Sequence, residues 1–290
     1  MASINGTSGN DSLTGTNADD TFVPGAGNDT IDGVAGTDTV VLSGPRNNYN
    51  IAQTFAGYVV TDTVAGTGVK TVSNVGLLQF SDTIDNLSIA ADAKIIGTAQ
   101  LNSLVELYIA YLNREPEASG LDYWIKQLAA GQTLEQIGAS FYAAATLPAY
   151  TALTGYSTTM SNADFVKIIY ANVLGRSGAT APPQADVDYW ANNLTNGHDT
   201  RGSLINTMLN SAHSFKGDVT WGWVADLLDN KVNVGTYHAV TAGVDYLSPT
   251  DAIVQGAAIA AKVTPTDTTV AINLIGLSTQ TDLQAPPMPG

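Results

Sequence analysis

The sequence predicts a multidomain α+β protein, in which an N-terminal parallel β-roll or β-solenoid with a β cap precedes an all-α helical domain. Two observations lead to this prediction. An aspartate recurs every nine residues between positions 11 and 38, and the apolar pattern changes from strand-like to helical at about residue 98. The expected segments are residues 1–44 for the repeats, 45–96 for the β cap, 97–216 for two tandem helical repeats and 217–290 for a C-terminal helical region.

The composition excludes several classes of function. The 290-residue chain has 26 acidic residues against 11 basic ones, a formal charge of −15 and no cysteine. Because an acidic surface repels nucleic-acid phosphates and anionic lipid headgroups, neither is an expected partner, whereas cations are. The lack of cysteine excludes disulfides, thiolate metal sites and cysteine nucleophiles. No apolar run approaches the roughly 18 residues of a membrane helix, so no membrane insertion is expected.

Four nine-residue units follow one another without a change of phase over residues 6–41: GTSGNDSLT, GTNADDTFV, PGAGNDTID and GVAGTDTVV. The eighth column is always apolar, which predicts a glycine-rich turn followed by a short strand with one inward side chain. The sixth column is always aspartate: Asp11, Asp20, Asp29 and Asp38. The fourth column is glycine in three of the units: Gly9, Gly27 and Gly36.

The spacing of the aspartates predicts a metal site. Two units would form one turn of a flattened coil, so Asp11 and Asp29 would share one edge and Asp20 and Asp38 the other, about 4.8 Å apart. Two such carboxylates repel by roughly 3 kcal/mol at an effective dielectric constant near 20, so a cation is expected between them. Carboxylate and turn carbonyl oxygens suit Ca²⁺ best. The four aspartates and the three fourth-column glycines are therefore the candidate calcium ligands. The alternative, a flexible linker without metal, does not explain the phased apolar column.

These units resemble the RTX calcium-binding nonapeptide repeats of type I-secreted bacterial proteins. The second unit departs from the pattern at Ala18 and the third at Pro24. The resemblance implies Ca²⁺ as cofactor, metal binding as part of folding, and a secreted, extracellular or cell-surface location. It also implies an uncleaved C-terminal export signal, for which the lysine-free tail at residues 266–290 has a suitable composition. The amino terminus has no basic and apolar segments of the kind found in Sec-type signal peptides.

Residues 45–90 predict three or four strands that close the open end of the repeats, because alternating apolar runs are broken by glycines there. An uncapped end would be an exposed sheet edge. The expected core positions are Tyr49, Ile51, Tyr58, Val60, Val75, Leu77 and Phe80.

A second internal repeat lies in the helical region, where residues 107–131 align with residues 169–197. The aligned positions include Tyr108 with Tyr170, Arg114 with Arg176 and Trp124 with Trp190. These units resemble the domain-of-unknown-function family 4214, which recurs in tandem in type I-secreted and surface-layer-like bacterial proteins, over roughly residues 100–216. That resemblance implies a cellular setting and no particular reaction. Further along, Ser248 ahead of Pro249 predicts a helix start.

The aromatic and arginine residues of the helical repeats are candidate ligand-binding residues, for instance for a sugar: Trp124, Trp190, Arg114 and Arg176. The competing interpretation places the tryptophans in the core and lets each arginine hold a loop carboxylate or cap a helix.

No catalytic constellation is recognisable, because the three histidines lie in no zinc-binding helix motif, and nucleophile-elbow, P-loop and dinucleotide motifs are absent from the sequence. We therefore expect a non-enzymatic, calcium-dependent, secreted bacterial surface or extracellular structural protein. It would assemble with itself, as a homo-oligomer or polymer, into a layer, filament or matrix. The alternatives are a calcium-dependent adhesin or glycan-binding module whose partner is a cell-surface glycan, and a secreted hydrolase.

Overall fold

The computed structural model describes residues 1–64 and 66–276, which form a strand-rich amino-terminal region followed by a helical region. The α+β class predicted from the sequence is therefore confirmed. Most of the tail that was expected to hold an export signal lies outside the described residues.

Eleven strands occur in the described residues, and they form a six-stranded and a five-stranded sheet. The strands are β1 (Ser3–Asn5), β2 (Ser12–Thr14), β3 (Thr21–Val23), β4 (Asp29–Asp32), β5 (Thr39–Val41), β6 (Tyr49–Thr54), β7 (Gly57–Asp62), β8 (Val69–Ser73), β9 (Leu77–Gln79), β10 (Thr83–Asn86) and β11 (Val244–Tyr246). The six-stranded sheet has the order β1-β3-β5-β9-β10-β11, and the five-stranded sheet has the order β2-β4-β8-β7-β6.

The nine-residue units place successive strands in alternate sheets. β1 pairs in parallel with β3, with Ser3 opposite Thr21, and β2 pairs in parallel with β4, with Ser12 opposite Thr30. Each register offset is 18 residues, so two units return the chain to the same sheet. The apolar eighth column fills the space between the sheets, where these side chains are at most 9% exposed: Leu13, Phe22, Ile31 and Val40.

The predicted all-parallel β-roll is not confirmed, because both sheets are mixed and neither is closed. β6 and β7 form an antiparallel hairpin, and β7 pairs antiparallel with β8. In the other sheet β10 pairs antiparallel with β9 on one side and with β11 on the other. Short connections explain the antiparallel pairs β6–β7, β7–β8 and β9–β10, because a strand that follows a tight turn pairs antiparallel with its predecessor. β11 instead comes from the carboxy-terminal region.

The cap region contains five strands rather than three or four, and its core differs from the expectation at two positions. Tyr49, Ile51, Val60, Val75 and Phe80 are buried as expected. Tyr58 and Leu77 are only half-buried, and the fully buried residue of β9 is Leu78. Successive strand residues face opposite sides of a sheet, so a register error of one residue exchanges the inner for the outer position.

Eleven α-helices lie in the described residues. They are α1 (Ile89–Asp92), α2 (Thr98–Leu112), α3 (Ala118–Ala129), α4 (Leu134–Ala145), α5 (Pro148–Thr154), α6 (Asn162–Asn172), α7 (Gln184–Thr195), α8 (Ser203–His213), α9 (Gly222–Thr236), α10 (Pro249–Ala260) and α11 (Thr269–Ile275). None of the helices in the described residues combines the length and the apolarity needed to cross a membrane.

Helix α2 is the centre of the helical region. Ten of its residues are buried, and it packs against α3, α4, α6, α8 and α9. The two aligned sequence repeats correspond to α2–α3–α4 and α6–α7–α8. Ser248 caps α10 by accepting the backbone N–H of Asp251 at 3.2 Å, as its position before Pro249 predicts.

One strand from the carboxy-terminal region joins the amino-terminal sheet. β11 pairs with β10, with Thr83 opposite Tyr246, and the N–H of Asn86 donates to the carbonyl of Gly243 at 2.8 Å. The two regions are therefore held together by backbone hydrogen bonds as well as by packing.

Glu115 is a fully buried carboxyl group at the junction of three segments. Its backbone N–H donates to the carbonyl of Gly256 at 3.0 Å, and a Cβ on Gly235 of α9 would lie 2.4 Å from its Oε2. Neither carboxyl oxygen has a hydrogen-bond partner among the described residues. Burial raises the pKa of Glu115 to about 8, opposed by the charge of Lys231. Glu115 is therefore mostly protonated at neutral pH.

This raised pKa predicts that stability falls with rising pH and that the substitution Glu115→Gln weakens the fall. Between pH 4.5 and about 8 the folded state keeps a proton that the unfolded state releases. The free energy of unfolding of the wild type should then decrease by up to about 1.4 kcal/mol per pH unit from this group. Urea denaturation from pH 5 to 9, followed by circular dichroism, measures the difference. Equal pH slopes for the two proteins would contradict the prediction.

Candidate metal centre

The repeat aspartates lie in two pairs on opposite edges of the strand-rich region. The backbone N–H of Asp11 donates to Oδ1 of Asp29 at 2.9 Å, and that of Asp20 donates to Oδ1 of Asp38 at 2.8 Å. Both contacts join residues 18 apart, as the period requires. One oxygen of Asp29 and one of Asp38 is thus bound by the amide of the preceding turn, so the paired carboxylates do not simply face each other.

The outer oxygens of the first two aspartates are satisfied within their own units. Oδ2 of Asp11 accepts the backbone N–H and the hydroxyl of Thr7 at 2.6 and 3.0 Å. Oδ2 of Asp20 accepts the same two groups of Thr16 at 2.6 and 2.8 Å. The Thr16 hydroxyl and the backbone N–H of Ala2 lower the pKa of Asp20. Thr16 therefore stabilises the charged form of Asp20.

The third and fourth units have Gly25 and Val34 in the second column and so lack this hydroxyl. In the third unit Oδ2 of Asp29 lies 2.9 Å from Nζ of Lys70, and both side chains are almost completely buried. Oδ2 of Asp29 has no hydrogen-bond partner among the described residues, so its contact with Lys70 is an ion pair. Lys70 was not among the residues predicted from the sequence.

Asp38 is the aspartate without a partner for its outer oxygen. It is 0% exposed, and its Oδ2 has no hydrogen-bond partner in the described part of the chain. Burial raises the pKa of Asp38, and repulsion from Asp20, Asp19 and Asp32 adds to this effect. A buried carboxylate that is both desolvated and close to like charges is stabilised by a cation.

The backbone around Asp38 leaves room that a side chain would occupy. A Cβ on Gly33 would lie 2.3 Å from Oδ2 of Asp38, so only glycine fits at that position. In the turn of the third unit, Gly27 has φ +106° and its Cβ would lie 2.4 Å from the carbonyl oxygen of Gly9. The turns therefore stack with their backbones in close contact, which brings their carbonyl groups near one edge.

The arrangement fits a calcium ion held by few carboxylates and several backbone oxygens. Among the described residues no three Asp, Glu or His side chains come close enough to form a metal site by themselves. Asp20 and Asp38 with the carbonyls of their turns would hold the ion on one edge. On the other edge, where Asp11, Asp29, Gly9 and Gly27 were the expected ligands, Oδ2 of Asp29 and the carbonyl of Gly27 are already in contact with the ammonium group of Lys70. Bound Ca²⁺ would supply positive charge between the turns, and Ca²⁺ accepts 6–8 oxygens in flexible geometry.

The first helical repeat places its candidate residues in packed surroundings. Arg114 is buried, forms an ion pair with Glu117 and lies over the ring of Tyr108 at 5.0 Å. Trp124 packs against Phe141, with 5.1 Å between the ring centroids. Both contacts match the interpretation in which the arginine holds a loop carboxylate and the tryptophan belongs to the core.

The second helical repeat differs, because its candidate residues border a cavity of about 240 Å³. The guanidinium of Arg176 lies 4.2 Å from the ring centroid of Trp221 and donates to the carbonyl of Thr180 at 3.3 Å. Trp190 lines the same cavity and donates its Nε1–H to the hydroxyl of Tyr170 at 3.1 Å. Trp221 lies beyond the sequence repeat, so the repeat alone could not identify it.

Comparison with known families supports both resemblances seen in the sequence. The model of the RTX calcium-binding nonapeptide repeat (4 copies) matches residues 4–40, and that of the domain of unknown function DUF4214 matches residues 102–146 and 149–216. Part of the chain is similar to the extracellular lipase LipA from Serratia marcescens, with 16% identity over 29% of this chain and a TM-score of 0.19. The matched part spans only 16% of the lipase chain. No curated protein matches the sequence.

Removing the charge of Asp38 should have opposite effects on the melting temperature without and with calcium. Since burial raises the pKa of Asp38, its ionised form destabilises the metal-free protein at pH 7, and the substitution Asp38→Asn should leave the melting temperature in EDTA unchanged or higher. The same substitution should reduce the rise in melting temperature that calcium causes, because it removes the charge that the ion neutralises. Differential scanning calorimetry with and without calcium measures both effects.

A matched control is Asp188→Asn, which removes the same charge from an exposed position on α7. An equal calcium-induced rise in Asp38→Asn and in the control would show that Asp38 is not a ligand.

Proposed function

We propose that this chain, which carries RTX calcium-binding repeats ahead of a DUF4214 domain, is a calcium-dependent protein of the type I-secreted class that works outside the cell. The observation on which the proposal rests is the buried and unpartnered oxygen of Asp38, at the edge of repeats that match a calcium-binding family. RTX repeats are typical of secreted proteins, and calcium completes their fold.

The strand-rich region has a small apolar core, and one oxygen of its buried Asp38 has no partner among the described residues. The buried apolar cluster of residues 13–87 is much smaller than the helical core, so the strand-rich region has less apolar burial to offset the cost of a buried, unpartnered carboxylate oxygen. An ion that binds only the folded state adds about 2.7 kcal/mol at a concentration of 100 Kd. Calcium sites of extracellular modules have Kd values of about 10⁻⁴ to 10⁻³ M. The repeats would therefore be less stable where calcium is scarce and gain stability where it is abundant.

The proposed role is structural and non-enzymatic: the protein assembles with itself into a layer, filament or matrix at the cell surface. Supporting this, the two helical repeats present the same exposed aromatic group, with Tyr123 54% and Tyr189 61% exposed. Each stacks edge-on against the following tryptophan, at 4.8 and 4.9 Å. Equivalent exposed groups on equivalent units suit repeated contacts between identical chains.

A second candidate function is a calcium-dependent adhesin or glycan-binding module. The observation that favours it is the cavity beside Arg176, in which Trp190, Trp221 and Tyr189 supply aromatic surface and Asp186 a carboxylate. Aromatic faces with a few charged groups suit a sugar ring, which is apolar on one face and polar at its edge. A secreted hydrolase remains the third alternative, and the likeness to the lipase is too weak to support it.

Hydrogen exchange measured by mass spectrometry tests the calcium dependence. Adding 5 to 10 mM calcium to the EDTA-treated protein should slow exchange in β1 to β5, because the ion links adjacent turns, while α2 and α9 change little. Light scattering of the same samples tests assembly, with larger particles expected in calcium. Identical exchange of the repeats in EDTA and in calcium would contradict the calcium proposal. A monomer that persists at millimolar calcium would contradict the assembly proposal alone.

Binding to an array of bacterial surface glycans tests the adhesin proposal. Trp190→Ala should lower any binding at least tenfold, since it removes one wall of the cavity. Trp124→Ala is the matched control, because the equivalent tryptophan packs against Phe141 instead. Equal binding by both variants, or binding that calcium removal does not affect, would contradict a calcium-dependent site at this cavity.

A further inference from the structure

Residues 66–73 repeat the nine-residue pattern after an interruption by the β6–β7 hairpin. Their sequence, GTGVKTVS, corresponds to GAGNDTID at residues 25–32. The glycines agree in conformation as well as position: Gly66 and Gly68 have φ values of +67° and +93°, against +78° and +106° for Gly25 and Gly27.

The pairing of β8 with β4 gives the same alignment. The two strands are parallel, with Asp29 opposite Lys70 and Ile31 opposite Val72. Val72 is 1% exposed, so it continues the buried apolar column of the repeats. The N–H of Val69 donates to Oδ1 of Asn28 at 3.0 Å, just as the N–H of Asn28 donates to Oδ1 of Asn10 at 2.8 Å. In the sixth column of this edge, the aspartates at positions 11 and 29 are followed by a lysine at position 70.

We propose that residues 66–73 are a fifth, diverged repeat unit, in which Lys70 replaces the metal-binding aspartate and its ammonium group serves as a built-in cation. The surroundings of the ammonium carry this inference. Its Nζ donates to the carbonyl oxygens of Gly27 and Thr67 at 2.7 and 2.8 Å and lies 2.9 Å from Oδ2 of Asp29. A carboxylate and two turn carbonyls are the type of oxygen set that a calcium ion requires.

The lengths and the number of these contacts suit an ammonium group without a metal ion beside it. Two of the three oxygens, the carbonyls of Gly27 and Thr67, accept hydrogen bonds from the ammonium group, and the third, Oδ2 of Asp29, forms an ion pair with it. The three distances of 2.7 to 2.9 Å suit a charged nitrogen and exceed the 2.3 to 2.6 Å of calcium–oxygen contacts. Lys70 is 2% exposed, so its ammonium group lies inside the protein, against the oxygens that a metal ion on this edge would need.

The Asp20–Asp38 edge has Gly76 next to Asp38, where the other edge has Lys70 next to Asp29. On the Asp20–Asp38 edge β5 pairs with β9 so that Thr39 lies opposite Leu77, which places Gly76 next to Asp38. Gly76 donates its N–H to the backbone carbonyl of Asp38 at 3.1 Å but has no side chain to offer its carboxylate. The Asp11–Asp29 edge is therefore closed by the chain itself, and the Asp20–Asp38 edge is left to a dissolved cation. A cation on the Asp20–Asp38 edge rests on the proposed calcium function, whereas the role of Lys70 does not.

Restoring the aspartate tests the inference. Lys70→Asp should bind one more calcium ion per chain than the wild type, measured by equilibrium dialysis and atomic absorption at saturating calcium. The matched control, Lys262→Asp, makes the same change of charge at an exposed lysine and should bind the wild-type number. A folded Lys70→Asp protein with the wild-type number of ions overturns the inference.

A second variant keeps the test decisive if Lys70→Asp does not fold. Lys70→Met leaves the carboxylate of Asp29 buried without a cation beside it, and the variant should melt about 10 °C below Lys262→Met in EDTA. Equal melting temperatures of these two variants would overturn the role of Lys70 as a cation. If the wild type binds no calcium but Lys70→Met still loses stability in EDTA, the calcium function fails and the built-in cation stands.

Discussion

The strand-rich region depends on neutralising carboxylates that its own period brings together. An 18-residue turn places Asp11 against Asp29 and Asp20 against Asp38, and their repulsion increases as the turns close and water leaves. The same repeat is balanced in three ways. Hydroxyl and amide donors of threonine hold the first two aspartates, the ammonium of Lys70 holds the third, and the fourth keeps one oxygen without a partner among the described residues. The last case is the one that the proposed calcium ion would complete.

Features that follow the nine-residue period could be predicted from the sequence. Strand pairings that come after the β6–β7 hairpin could not. The phased columns predicted which side chains are buried and which aspartates meet, because a fixed repeat length fixes the register. Lys70 escaped notice because the β6–β7 hairpin separates its unit from the first four. β11 escaped notice because three residues, VDY, carry no strand signal of their own and become a strand only beside β10.

The helical repeats also have features that the sequence alignment could not predict. The alignment correctly paired Arg114 with Arg176 and Trp124 with Trp190, but it could not predict that the members of each pair differ in surroundings. Arg114 is held by Glu117 from the next turn of chain, whereas Arg176 stacks on Trp221. Since Trp221 comes from outside the repeat, one copy is packed and the other borders a cavity. Arg176 is followed by Ser177-Gly178-Ala179 where Arg114 is followed by Glu115-Pro116-Glu117, so both a diverged loop and the neighbouring Trp221 shape the candidate site.

The two edges of the repeat region also differ in what they are attached to. The edge closed by Lys70 belongs to the five-stranded sheet, which ends in the β6–β7 hairpin. The edge left to a cation belongs to the six-stranded sheet, which continues through β9 and β10 to β11 and so to the helical region. Next to β11 the buried His238 accepts a hydrogen bond from the hydroxyl of Tyr246 at 2.9 Å and donates one to the carbonyl of Pro116 at 2.7 Å. Burial lowers the pKa of His238 to about 4, so this side chain stays neutral. The Asp20–Asp38 edge therefore belongs to the sheet that is hydrogen-bonded to the helical region, so the proposed calcium ion would stabilise the strands that join the two regions.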